Sequence, residues 1–68
     1  MILHDNAICQ AALETFGKEL QVTMAIEEMS ELAKELCKRC RGRDNVEAIA
    51  EEIADVEIML QQMVMMFD

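Results

Sequence analysis

Two pairs of carboxylates in this sequence have the i, i+3 spacing that places side chains together on a helix. The first pair is Glu28 with Glu31, and the second is Glu52 with Asp55. Because residues three apart are neighbours on an α-helical surface, each pair can direct two carboxylates at one point. Two such pairs on facing helices would form an all-oxygen site suited to a hard divalent cation such as Mg²⁺ or Mn²⁺. We therefore predict a metal site at these four residues.

Two long helices must position these pairs. Apolar residues recur at three- and four-residue steps from about residue 19 to residue 41, and again from about residue 45 to residue 66, which is the α-helical period. The apolar stripe expected to face the core of the first of these helices is Ala25, Met29, Leu32, Leu36 and Cys40. The stripe expected on the second is Ile49, Ile53, Val56, Leu60, Met63 and Phe67. The second helix also carries apolar residues outside its stripe, namely Ile58, Met59, Met65 and Met66.

The segment between the two helices predicts an antiparallel hairpin. Gly42 is expected to end the first helix, and Asp44 with Glu47 has the spacing of a capping box for the next. Glu31 is eleven residues before Gly42 and Glu52 is ten residues after it. At about 1.5 Å per residue both carboxylate pairs should lie about 15 Å from the turn. The two halves of the predicted site should therefore meet.

A short helix is expected to precede the hairpin. Asp5 or Asn6 can cap it, and Gly17 can end it because glycine tolerates a left-handed backbone. Its expected apolar face is Ala7, Ile8, Ala11, Ala12 and Phe16. The predicted fold class is thus all-α, a short N-terminal helix plus an antiparallel helical hairpin.

Size and charge limit the functions open to this chain. With 68 residues it is a single small domain, yet 53% of the residues are hydrophobic. A core of this size is thin, so we expect self-association. The net charge of −8 argues against nucleic acid as a partner.

The cysteines and the apolar runs predict a cytoplasmic protein that does not enter a membrane. The cysteine count is odd, and residues 1–6 lack the features of a signal peptide. We expect free, reduced thiols, although Cys37-x-x-Cys40 has the spacing of a redox or zinc half-site. No run approaches the ~20 apolar residues of a membrane-spanning helix.

The acidic pattern resembles a known family signature. Glu27-Glu28-x-x-Glu31 followed by Glu52-x-x-Asp55 resembles the EExxE and ExxD motifs of the MazG-like nucleotide pyrophosphohydrolases, within the all-α NTP pyrophosphatase superfamily. The resemblance covers roughly residues 17–68. It implies Mg²⁺-dependent hydrolysis of nucleoside triphosphates (NTP or dNTP) to a monophosphate and pyrophosphate, for housecleaning of nucleotide pools. It also implies a homodimer or homotetramer, in which oligomerisation completes a four-helix core. By position the residues that would hold Mg²⁺ are Glu28, Glu31, Glu52 and Asp55.

Further roles follow from the same resemblance. Glu27 or Glu31 would accept the proton of the attacking water, and Lys34 and Lys38 would contact phosphate oxygens. The alternative for both lysines is ion pairing along their own helix. Gln21 would hold a base, unless it is an ordinary surface residue. Family members generally have a further helix after the ExxD helix, so we expect a C-terminally truncated form or a wall supplied by another protomer.

Two other classes of protein compete with this hypothesis. All these acidic residues could be ordinary charged positions on the helices of a non-catalytic oligomerisation or interaction module. Four carboxylates converging without a cation would, however, repel one another and raise some of their pKa values. A carboxylate-bridged di-iron bundle is disfavoured because it normally needs a Glu-x-x-His motif, and the single histidine, His4, is far from either pair in sequence.

Overall fold

The computed structural model describes residues 6–67, which form three helices. These are α1 (Asn6–Phe16), α2 (Lys18–Cys40) and α3 (Val46–Phe67). The all-α architecture with a long α2–α3 hairpin is confirmed, and residues 6–67 contain no strand. The bounds of the two long helices agree with the sequence prediction to within one residue. Asp5 and His4 lie outside the described residues.

Both glycines end a helix in the left-handed region of the backbone. Gly17 has φ 85° and Gly42 has φ 92°. The Gly17 N–H donates to the Leu13 carbonyl at 3.0 Å, and the Gly42 N–H donates to the Arg39 carbonyl at 3.0 Å. A residue with a Cβ rarely adopts this conformation, so the positive φ of each glycine explains why a helix ends there, as predicted.

Asn45 joins the turn to the body of α2. Its amide nitrogen Nδ2 donates to the Glu35 carbonyl at 2.9 Å and to Glu35 Oε1 at 3.0 Å. Its own carbonyl accepts the Ile49 N–H at 3.0 Å at the start of α3. Asp44, expected to cap α3, lies one position earlier, and its exposed carboxylate instead pairs with Arg39 at 3.6 Å.

The faces that pack α2 against α3 differ from the predicted apolar stripes. Four stripe residues are substantially exposed: Met29 (44%), Leu36 (45%), Ile53 (43%) and Phe67 (73%). Cys40 is exposed as well. Met59, predicted to lie outside the stripe, is only 7% exposed. Ala25 and Val56 are buried as predicted, so both helices are rotated from the predicted orientation by less than one residue step of about 100°.

The observed inner face repeats at three- and four-residue steps and includes polar residues. We define it as ten buried or half-buried positions that follow one side of each long helix. On α2 these are Gln21, Ala25, Glu28, Leu32 and Glu35, and on α3 they are Ile49, Glu52, Val56, Met59 and Gln62. A search for apolar periodicity passes over such a face because half of its members are polar.

The buried side of α1 was also predicted wrongly. Cys9 and Leu13 are the residues that α1 buries, at 1% and 6% exposed. Ile8 and Phe16, expected to be buried, are 68% and 58% exposed. With only 11 residues, α1 has apolar side chains on several sides, so periodicity alone did not select the correct one.

The structure bears on two expectations from the sequence, the state of the cysteines and the character of the helices. Cys9 is buried, Cys37 and Cys40 are exposed, and none of the three forms a disulfide. None of the helices within residues 6–67 is long and apolar enough to cross a membrane.

Gln21 and Gln62 form a buried hydrogen-bonded pair between α2 and α3, far from the turn that joins the two helices. Gln21 Nε2 donates to Gln62 Oε1 at 2.7 Å, and the residues are 5% and 3% exposed. A buried amide that loses its partner keeps its desolvation cost, whereas removing both partners together is nearly neutral.

We predict that Gln21→Met lowers the free energy of unfolding by about 1–3 kcal/mol, because Gln62 is left without its donor. The double variant Gln21→Met/Gln62→Met should recover most of this loss. Urea denaturation at one fixed protein concentration measures both, and the single variant Gln62→Met completes the double-mutant cycle. Gln10→Met is the control, since Gln10 is exposed and its loss should change stability by less than about 0.5 kcal/mol. Equal losses in the single and double variants would contradict the coupling.

Candidate metal centre

Three carboxylates converge between α2 and α3. Oxygens of Glu28, Glu52 and Asp55 all lie within 4.8 Å of one another. Glu28 and Glu52 are half-buried, and Asp55 is exposed. The two halves of the predicted site therefore meet across the hairpin, as the register argument required.

The position of this cluster follows from the register set at the turn. Asn45 bonds to Glu35, and one step of seven residues along each helix leads from that contact to Glu28 and Glu52. Seven residues are close to two helical turns, so the inner positions come round to the same side again. The contact at the turn thus places one carboxylate of each helix opposite the other.

Glu31, the fourth predicted ligand, lies at the edge of the cluster. Its side chain is exposed, and it does not belong to the group of three converging carboxylates. It is nevertheless near enough for its charge to raise the pKa of Glu52. The structure brings together three of the four residues and leaves Glu31 beside them.

The electrostatics of the cluster centre on Glu52. Loss of solvent around this carboxyl raises its pKa, and the negative charges of Glu28, Asp55, Glu31 and Glu35 raise it further, in that order. Its Oε2 atom is buried and has no hydrogen-bond partner within residues 6–67. A proton or a cation at this point would relieve the repulsion.

Polar side chains on either side of the cluster form hydrogen bonds within the protein, although the buried Oδ1 of Asn45 has no partner within residues 6–67. On the side of the turn, hydrogen bonds from Lys38 and then Asn45 lower the pKa of Glu35. On the far side, Gln21 bonds to Gln62. The cluster between these two layers consists of like charges. An all-carboxylate group of this kind can bind a hard divalent cation or share a proton.

The remaining candidate residues have varied surroundings. Glu27 and Lys34 are exposed on α2. Lys38 forms an ion pair with Glu35 at 2.9 Å, which is the alternative considered for it. Gln21 is buried against Gln62 and is not an ordinary surface residue. The site roles of these four residues remain predictions.

Sequence reasoning missed the residues that support the cluster from both sides. Glu35 and Asn45 on one side, and Gln62 on the other, carry the flanking hydrogen bonds. One signal could have found Glu35, because Gln21, Glu28 and Glu35 are seven residues apart. Polar residues at that spacing indicate a shared helix face.

Comparison with known proteins adds no family to this description. The chain matches no protein family, no curated protein and no solved structure. The resemblance to the MazG-like motifs therefore depends on the acidic residues and their spacing.

We predict that Glu52→Gln raises the melting temperature of the metal-free protein at pH 7. A carboxyl whose pKa is raised by folding stabilises the folded state fully below the unfolded pKa of about 4.3, and this contribution is lost as the pH rises through the folded pKa. A permanently neutral Gln keeps the contribution at pH 7. Thermal unfolding in EDTA from pH 3 to 8 should show the advantage of the variant disappearing at the acidic end.

Glu47→Gln is the matched control for this measurement. Glu47 is exposed on the first turn of α3 and lies outside the cluster. It should show no such gain at pH 7. If Glu52→Gln melted at or below the wild-type temperature at pH 7, repulsion between Glu52 and the neighbouring carboxylates would not destabilise the folded state.

Proposed function

We propose that this protein is a Mg²⁺-dependent nucleoside triphosphate pyrophosphohydrolase that converts NTPs or dNTPs to a monophosphate and pyrophosphate. The observation that carries this proposal is the convergence of Glu28, Glu52 and Asp55 from the two acidic motifs. The proposed role is housecleaning of nucleotide pools in the cytoplasm, a compartment in which the exposed thiols of Cys37 and Cys40 would stay reduced.

The cluster fits a magnesium ion by the chemistry of its donors. All its ligand atoms are carboxylate oxygens, which Mg²⁺ and Mn²⁺ prefer. The buried Glu52 Oε2 has no hydrogen-bond partner within residues 6–67, and a cation would supply one. Glu31 is proposed to join Glu28, Glu52 and Asp55 as the fourth ligand.

The remaining roles are assigned to exposed side chains beside the cluster. A bound Mg²⁺ would neutralise triphosphate charge and lower the pKa of a water. Glu27 or Glu31 would accept the proton of that water as its oxygen attacks the α-phosphorus. The bond from the α-phosphorus to the bridging oxygen then breaks, and pyrophosphate leaves.

Among the polar candidates for substrate contact, Lys34 has the fewest competing bonds. It is exposed and lies three residues beyond Glu31. Lys38 would have to leave Glu35, and Gln21 would have to leave Gln62 inside the hairpin. We therefore assign phosphate contact first to Lys34, then to Lys38, and a base contact to Gln21 last.

A second candidate function is a non-catalytic helical interaction module. The regular heptad-like steps of the inner face favour it, since such spacing is typical of coiled-coil pairs. In that case the carboxylates would only solubilise the hairpin, and divalent cations would not stabilise it. Enzyme and module thus differ in metal binding and in activity.

We predict pyrophosphate release from at least one member of an NTP and dNTP panel in millimolar Mg²⁺. Glu52→Gln should lower this activity by orders of magnitude, because Gln keeps the shape of the ligand but not the charge that the metal needs. Glu47→Gln should remain close to wild type. Similar turnover in the wild type and Glu52→Gln would show that the activity does not come from this site.

We also predict that Mg²⁺ or Mn²⁺ raises the melting temperature of the wild type but not of Glu52→Gln. A ligand that binds only the folded state stabilises it according to its concentration and affinity. Thermal unfolding with increasing metal, compared with EDTA, measures this independently of turnover. Stabilisation without activity would indicate an intact metal site in a chain that lacks other parts of the enzyme. Neither stabilisation nor activity would favour the interaction module.

A further inference from the structure

Two exposed cysteines lie on the last turn of α2, and neither the acidic cluster nor the proposed reaction uses them. Cys37 and Cys40 are both exposed and form no disulfide, and Cys40 is the last residue of the helix. Residues three apart are neighbours on a helical surface, so the two thiols share one side of α2. The pair therefore presents two sulfur atoms together to solvent.

The surroundings of the pair favour thiol–disulfide chemistry over zinc binding. A structural zinc ion takes four ligands, usually thiolates and imidazoles. Within residues 6–67 the one group of three or more potential ligand residues is the acidic cluster, which contains no cysteine. The third cysteine, Cys9, is buried on α1. The pair thus lacks the additional ligands that a zinc ion needs.

The geometry of the helix end is close to that of a disulfide between the two residues. Helical residues three apart have Cα atoms about 5 Å apart, within the range of about 4.4–6.8 Å that disulfides span. Their Cβ atoms, about 5–6 Å apart on a helix, must approach to about 3.5–4.5 Å. Cys40 is the last helical residue, and Gly42 follows with φ 92°. The shift of about 1 Å therefore falls on the end of α2 and not on its body.

The pair also lies in a basic segment of an acidic chain. Residues 34–43 contain five of the six lysines and arginines and a single acidic residue, Glu35, whereas the whole chain has a net charge of −8. Lys38 and Arg39 each have an acidic neighbour. Arg41 is exposed and forms no ion pair within residues 6–67. A local excess of positive charge attracts small anions to the thiols.

We propose that Cys37 and Cys40 form a thiol–disulfide exchange site for small anionic disulfides such as oxidised glutathione. One thiolate attacks a sulfur of oxidised glutathione, the S–S bond breaks, and one reduced glutathione leaves a mixed disulfide behind. The second thiolate attacks the protein sulfur of this mixed disulfide and releases a second reduced glutathione. The protein gives up two electrons as its disulfide forms, oxidised glutathione gains them, and the two thiol protons pass to the glutathione released.

The exchange site is reversible and lies beside the contact that sets the hairpin register. Excess reduced glutathione drives the same two steps backwards, and transient disulfides of this kind are the ones that occur in reducing compartments. Lys38, between the two cysteines, bonds to Glu35 at 2.9 Å, and Glu35 also accepts the bonds from Asn45. The proposal is independent of what the acidic cluster binds.

The test is mass spectrometry of the full chain after incubation with oxidised glutathione and quenching in acid. The wild type should lose two hydrogens, carry no glutathione and keep the mass of one chain, and excess reduced glutathione should restore it. Cys37→Ser and Cys40→Ser should each stop at the mixed disulfide, because the second thiol is missing. Both residues are exposed, so these variants should fold. Peptide mapping should find Cys9 still as a thiol.

Two variants of matched charge test the role of the basic segment. Arg41→Gln and Lys18→Gln each remove one positive charge, but Lys18 is the first residue of α2, at the far end from the cysteines. At low ionic strength Arg41→Gln should slow the reaction with oxidised glutathione by about two- to threefold, and Lys18→Gln should not. Both variants should react at the wild-type rate with hydroxyethyl disulfide, which is uncharged.

Several results would overturn the proposal. One is a wild type that retains glutathione, and another is a wild type in which these cysteines link two chains. A third is a pair of thiols that stays unmodified in oxidised glutathione. Equal rates for Arg41→Gln and Lys18→Gln with oxidised glutathione would overturn it as well, because the basic segment would then have no part in selecting the disulfide.

Discussion

The hydrogen bonds from Asn45 to Glu35 set the register on which the rest of this molecule depends. They connect the residue immediately before α3 to both the backbone and the side chain of Glu35 on α2. Once that contact is fixed, the regular rise of two helices determines every later pairing. Glu28 meets Glu52 one heptad away, and Gln21 meets Gln62 beyond them. A slip of one residue would separate all three polar layers at once.

The polar inner face favours a definite register over maximum stability. Ala25, Val56 and Met59 are its apolar residues with little exposure, which is a small hydrophobic contribution for two helices of 23 and 22 residues. Polar layers between helices discriminate between registers, because a mismatched amide or carboxylate stays buried without a partner. The hairpin thus holds its carboxylates in place and leaves much of its apolar surface facing outwards.

The sequence allowed the helices, the turn and the meeting of the acidic pairs to be predicted, because these depend on local signals and on counting. Gly17 and Gly42 ended helices where a left-handed backbone is needed. The orientation of each helix was not predictable in the same way. Met29 and Ile53 fit an apolar stripe, yet Glu28 and Glu52 face the partner helix instead. Hydrophobic periodicity does not identify the packed face of a helix when that face carries polar residues and the adjacent, more exposed face is apolar.

Gly17 alone separates α1 from α2, so a single residue joins the two helices. With no spare length, α1 cannot drift away from the hairpin and can only swing about the backbone of Gly17. α1 is held against the hairpin by a hydrogen bond from Gln61 Nε2 to Asn6 Oδ1 and by the burial of Cys9 and Leu13, which contributes about 3–6 kcal/mol if each counts as one buried apolar side chain. Local opening at that free energy occurs in a small fraction of molecules while the hairpin stays folded. Such an opening would uncover the end of α3 near Met65 and Met66, which lines a groove together with Leu13.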